Sequence, residues 1–173
     1  MPNTFTKIAS VIVGAGGASS IDFTSIPSTY TDLCIKMSLR STGDVVNTSI
    51  RFNGSTSGYS MRYLTGDGSS ASSGTTGGDT YFLTYGINPS SYTSNTFANT
   101  ELYIPNYNGS ANKSMSMDAV TENNATTAFA SLAAHLWSNT SAITSIGISA
   151  YPWGGLNNLA QYSTATLYGI KNS

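Results

Sequence analysis

Charge is what this chain has least of. Lys, Arg, Asp and Glu make up 9% of its 173 residues, where an ordinary soluble domain carries roughly 25%. The net charge is −1, and Lys36, Arg40, Arg51 and Arg62 lie far apart in sequence. A binder of phosphate backbones needs a concentrated basic face, so nucleic acid is not an expected partner. One cysteine, Cys34, excludes an intramolecular disulfide and a cage of several thiolates. One histidine, His135, excludes a three-histidine metal site and leaves a single base for any Ser-His-acid triad. No window approaches the roughly 18 apolar residues of a membrane-spanning helix. The opening M-P-N-T-F-T-K-I lacks the charged segment and long apolar run of a secretory signal. Neither a membrane nor a cofactor is expected.

Hydroxyls fill the gap. Ser and Thr together supply about 30% of the chain, far above the usual share, so the surface is expected to be neutral and rich in hydroxyl and amide groups. The clearest pattern runs from Thr100 to Val120. Alternating runs around Leu102/Ile104 and Met115/Met117/Ala119 flank a turn containing Asn108-Gly109. Alternation indicates strands buried on one face, and Asn-Gly favours chain reversal, which together predict a hairpin with an extended tip.

The rest of the chain repeats this grammar. Phe5 to Val13 reads as a strand ended by G-A-G-G, and Ile21 and Phe23 mark a second before Pro27. In Tyr30 to Arg40, Leu33, Ile35, Met37 and Leu39 point one way. Asp32, Cys34, Lys36, Ser38 and Arg40 point the other, toward water or an interface. Val46 to Phe52, Tyr59 to Tyr63, Tyr81 to Tyr85, Phe97 to Ile104, Ile143 to Ser149 and Gln161 to Ile170 follow. Thr127 to Trp137 is compatible with a short helix, but its alternating neighbours and the S-N-T-S turn after it favour a strand buried on both faces. Residues 65–80, T-G-D-G-S-S-A-S-S-G-T-T-G-G-D-T, bury no apolar area and predict a mobile loop or interaction arm. Roughly ten strands with turn signals every 8–12 residues predict an all-β fold: one antiparallel β-sandwich over residues 1–173, of jelly-roll type.

Candidate chemistry is sparse. His135 sits in A-A-H-L-W without a local acid and reads as a packed or surface histidine, and Cys34 has no local activating partner and reads as an inert thiol. Glu101, Asp118 and Glu122 are the acids that the hairpin can gather for carboxylate-pair hydrolysis. The G-D-G and G-G-D fragments at 66–68 and 77–79 lack calcium-loop spacing. No catalytic residues are assigned. The aromatic loop Tyr151-Pro152-Trp153-Gly154-Gly155 is the best binding candidate, with Trp153 and Tyr151 as flat rings for sugars or a partner protein.

Several segments, taken as a set, resemble a group of virion proteins of tailed bacteriophages. They are F-T-K-I-A-S, I-D-F-T-S-I-P-S-T-Y-T-D-L, I-R-F-N-G-S, R-Y-L-T-G-D-G, E-L-Y-I-P-N-Y, V-T-E-N-N-A-T and Q-Y-S-T-A-T-L-Y-G-I. The resemblance covers almost the whole chain and brings no functional residues with it. It implies a non-enzymatic part of the particle surface, made in the host cytoplasm. The expected role is capsid decoration (cement), with the major capsid protein and further copies of the chain as partners. A trimer is expected because such proteins sit at local threefold points. The polar side of Tyr30–Arg40, the 65–80 segment and the N-terminal segment are the expected contact surfaces. The alternative is a tail-fibre module that binds host surface glycans through Trp153.

Overall fold

A computed structural model describes residues 4–124, 126 and 128–171. Its twelve strands are β1 (Phe5–Ile12), β2 (Ile21–Phe23), β3 (Asp32–Leu39), β4 (Asn47–Phe52), β5 (Tyr59–Gly66), β6 (Ala71–Asp79), β7 (Phe82–Tyr85), β8 (Ala98–Ile104), β9 (Lys113–Glu122), β10 (Ala128–Trp137), β11 (Ile146–Ala150) and β12 (Thr164–Ile170). They form an eight-stranded sheet, ordered β1-β12-β3-β8-β9-β10-β5-β6, and a four-stranded sheet, ordered β2-β11-β4-β7. Every pairing between these strands is antiparallel. The protein is an all-β sandwich. Its strands divide eight and four, four more than the eight of a jelly roll.

Alternation builds the core. Leu33, Ile35, Met37 and Leu39 from β3 meet Leu102, Ile104, Met115, Met117 and Leu167 on the inner face of the large sheet. Ile50, Phe52, Phe82, Ile146 and Ile148 face them from the small sheet. At one end Phe52, Tyr59, Phe82 and Trp137 pack edge to face or stacked, with centroids 4.6–6.2 Å apart. The Tyr59 hydroxyl donates to Ser55 O (3.2 Å) and accepts from Phe52 N (3.0 Å), so this aromatic group buries no idle phenol. The hairpin of β8 and β9 has its extended tip, held by Lys113: the buried ammonium donates to the Gly109 and Ala111 carbonyls.

Three sequence expectations need correction. Residues 65–80 are not a loop: β6 pairs with β5 from Gly66↔Ala71 to Tyr59↔Asp79, closed by a turn in which the Asp67 carboxylate accepts from Ser69 N and Ser70 N. Backbone pairing, rather than apolar burial, makes this strand. Second, β10 is a strand but not one buried on both faces, since Ser131, Ala133, His135 and Trp137 point inward and Leu132 and Leu136 outward. Thr127 and Ala125, in the expected turn and strand start, lie outside the described residues. Third, the outward side of β3 is not uniformly polar surface. Asp32 and Cys34 are buried there, while Lys36 is exposed.

Candidate functional site

Two outward surfaces gather the residues that matter. On the small sheet, Asp22 of β2, Gly147 of β11 and Arg51 of β4 form one cross-strand row. Gly147 leaves a notch, and the loop after β11 lays Trp153 into it: a β-carbon on Gly147 would lie 2.5 Å from Trp153 Cη2 and 2.8 Å from Asp22 Oδ1. The Arg51 guanidinium sits 4.6 Å from the Trp153 ring centroid and 5.7 Å from that of Tyr81, while its Nε donates to Thr80 O (2.9 Å). Tyr151 meets Tyr81 edge to face at 6.1 Å and is anchored by Asn157 Nδ2, which donates to Tyr151 O (3.0 Å).

The two expected binding aromatics therefore lie in one cluster, but Trp153 is no free platform. One ring face carries Arg51, and its edge fills the notch. Two shallow depressions remain beside it, of about 200 Å³ toward Asp22 and Arg51 and about 130 Å³ toward Ser19, Ser20, Ser149 and Asn157. Sequence reasoning found Trp153 and Tyr151 but missed Arg51, Asp22, Tyr81 and Gly147. Their proximity comes from pairing of strands distant in the chain, which no local motif records.

The second surface is the outer face of the eight-stranded sheet. One ladder row crosses all its strands as Ser73, Leu64, Leu132, Asp118, Glu101, Lys36, Thr166 and Ser10. Glu101 and Asp118 are thus direct cross-strand neighbours, an arrangement of like charges that is unfavourable unless a cation intervenes. Lys36 supplies one, with Nζ 2.8 Å from Glu101 Oε2. Glu122 stands at the far end of β9, away from that pair. In the next row Tyr103 lies between Ser116 and Cys34, and its hydroxyl donates to Asp32 Oδ2 at 2.6 Å. That bond to a carboxylate, with burial second, pushes the Tyr103 phenol up to about 12. Burial first, then the Glu101 charge, pushes the Cys34 thiol up to about 11, so it stays protonated and unreactive at neutral pH.

His135 faces the interior and packs against Phe82 at 4.8 Å, with neither ring nitrogen hydrogen-bonded among the described residues. Desolvation pushes its pKa down to about 4. An imidazole sealed in this way is poorly placed to exchange protons with a substrate, and among the described residues no carboxylate hydrogen-bonds to it. Among the described residues no three His, Cys, Asp or Glu side chains are grouped to hold a metal ion. No protein-family model matches the chain, and no curated protein or solved structure is significantly similar to it.

Proposed function

We propose that this chain is a structural component of a bacteriophage particle, a capsid decoration (cement) protein that binds between major capsid proteins on the virion surface. The particle context rests on the sequence resemblance. The observation that supports a docking role is the outer face of the large sheet, a broad surface on which Leu64, Val120, Leu132 and Leu136 stand in solvent among Ser, Thr and Ala side chains. An enzyme concentrates its chemistry in a cleft. This face instead spreads hydroxyls and aliphatic groups over a sheet, as suits adhesion to another protein surface. Few charges make such contacts insensitive to salt, an advantage for a part that works outside the cell. A threefold ring around a capsid symmetry point is the assembly that this role favours.

Counting copies in purified particles against the major capsid protein, by quantitative mass spectrometry, tests the proposal. Hundreds of copies are expected. A count of zero overturns the structural role, and a few dozen moves the protein from head to tail.

One observation favours a second reading, a tail module that binds host surface glycans. The Trp153 ring borders depressions lined with hydroxyl, amide, carboxylate and guanidinium groups, the mixture that sugar recognition uses beside an aromatic ring. A glycan array separates the two: signal that Trp153→Ala removes supports the tail reading, and an empty array speaks for cement.

A further inference from the structure

Leu64, Leu132, Val120 and Leu136 are 50%, 56%, 48% and 37% exposed. They come from adjacent strands, and Leu64 and Leu132 are direct cross-strand partners. Val120, opposite Ala130, lies diagonal to Leu132, and Ala134 stands between Leu132 and Leu136, so an exposed apolar stripe runs along β10, of the kind that marks a contact surface.

Charge brackets the stripe asymmetrically. Arg62 lies on the β5 side and Asp118 on the β9 side. Among the described residues neither makes an ion pair or a hydrogen bond. Glu101, next to Asp118, is already neutralised by Lys36. Around Leu132 the face thus presents Arg62 and Asp118 without partners, on either side of β10, while Glu122 and Lys7 lie farther out on the same face, beyond Val120 and on the edge strand β1. Leu132 stands as a ridge between two depressions. That of about 350 Å³ is bounded by Arg62, Leu64 and Ala134, and that of about 320 Å³ by Glu101, Tyr103 and Asp118. Ser116 borders both, and its small side chain leaves room for an incoming aliphatic group.

The geometry points to a second copy of this chain as the occupant of the face, paired about a twofold axis. With the axis lying in the contact plane and crossing β10 between Leu132 and Ala134, Leu64 of each copy covers the partner's Leu132. The same operation sets Arg62 of each copy over the partner's Asp118. One self-complementary patch then satisfies itself twice, as an isologous interface requires. The ion pairs fix the register and disfavour slipped pairings, while the leucines supply the apolar burial. This inference rests on reading the outer face as a docking surface, not on the virion assignment. It gives the outer face to a second copy, so the capsid contact and the threefold ring proposed above then fall to surfaces elsewhere on the molecule.

The test is analytical ultracentrifugation of the full chain over a concentration series. Wild type is expected to form a reversible dimer. Leu132→Ser, Arg62→Asp and Asp118→Arg each weaken dimerisation at least tenfold, and the exchanged pair Arg62→Asp with Asp118→Arg restores it. All three positions in these variants are exposed strand sites, and circular dichroism verifies that each protein is folded. A wild type that stays monomeric at the highest concentration overturns the inference, as does an exchanged pair no tighter than the single variants. Capsid binding, measured separately by co-sedimentation, distinguishes the two proposals: a monomer that binds capsids sinks the twofold pairing and leaves the cement role standing.

Discussion

His135 is the residue whose environment speaks most directly to stability. The unfolded chain takes up a proton on it near pH 6.5, whereas the folded protein resists until about pH 4. Between those values the unfolded state binds more protons. This contribution is therefore complete above pH 6.5 and is lost as pH falls through the window, about 3 kcal/mol in all. Urea unfolding at several pH values should show that loss in wild type and a flatter profile in His135→Leu; parallel profiles would contradict the assignment. Arg40 makes a different residue-scale prediction. Its guanidinium donates to the carbonyls of Ser90, Tyr92, Thr93 and Thr96 at 2.9–3.1 Å, organising the segment between β7 and β8. Lysine cannot reproduce that fork. Both Arg40→Ala and Arg40→Lys are expected to cost about 2 kcal/mol or more in chemical denaturation, with faster amide exchange at residues 90–96.

Strand glycines under aromatic rings are the device that recurs at the scale of elements. Tyr63 of β5 lies across its register partner Gly74 in β6, Tyr30 covers Gly169 in β12, and Trp153 covers Gly147 in β11. A glycine weakens a strand by lacking a side chain to pack, and the ring laid over it restores that packing. Alanine substitutions should rank by how freely the ring can leave. At Gly169 the new β-carbon meets Tyr30 Cγ at 2.3 Å, close to that ring's attachment point. At Gly74 it meets the Tyr63 hydroxyl and Cζ, the far end of a side chain that can swing aside. Thermal unfolding should show Gly169→Ala losing about 1–3 kcal/mol, and Gly74→Ala and Gly147→Ala, where the new β-carbon meets only the far ends of side chains, clearly less. Equal losses at all three would contradict this account.

These pairs also explain what the sequence made legible. Strands with a bulky residue at every second position, such as β3, β8 and β9, declare themselves by alternation. β6 does not, because Ala-Ser-Ser-Gly-Thr-Thr-Gly-Gly-Asp has no apolar face, and its partner strand supplies both hydrogen bonds and ring. In β10 alanines and leucines fill both phases of the alternation, so the pattern reveals a strand without revealing which side is covered. The Trp153 loop stood out by its Gly/Pro setting. Arg51 and Asp22 did not, since only the β2-β11-β4 pairing brings them to it.

For the whole molecule, the two sheets divide the work. The short edge strands β2 and β7 blunt the small sheet, while the large sheet ends in the longer β1 and β6 and carries the apolar stripe on its open face. A protein with 9% charged residues has little ionic surface to keep such a face in water, so the account assigns that face to a contact. Dense long-range antiparallel pairing gives slow folding and slow unfolding, properties that would suit the role proposed above.

The most direct test of that claim is hydroxyl-radical footprinting of the chain, free in dilute solution and in the assembly that the proposed twofold pairing forms at high concentration, read by mass spectrometry at single residues. The account predicts that Leu64, Leu132 and Leu136 are oxidised readily in the free protein and are protected in the assembly, while Leu156, fully exposed on the far loop, stays reactive in both. Leucines on the outer face that react equally in both states, with protection confined to Trp153 and Tyr151, would contradict it and move the contact to the small sheet.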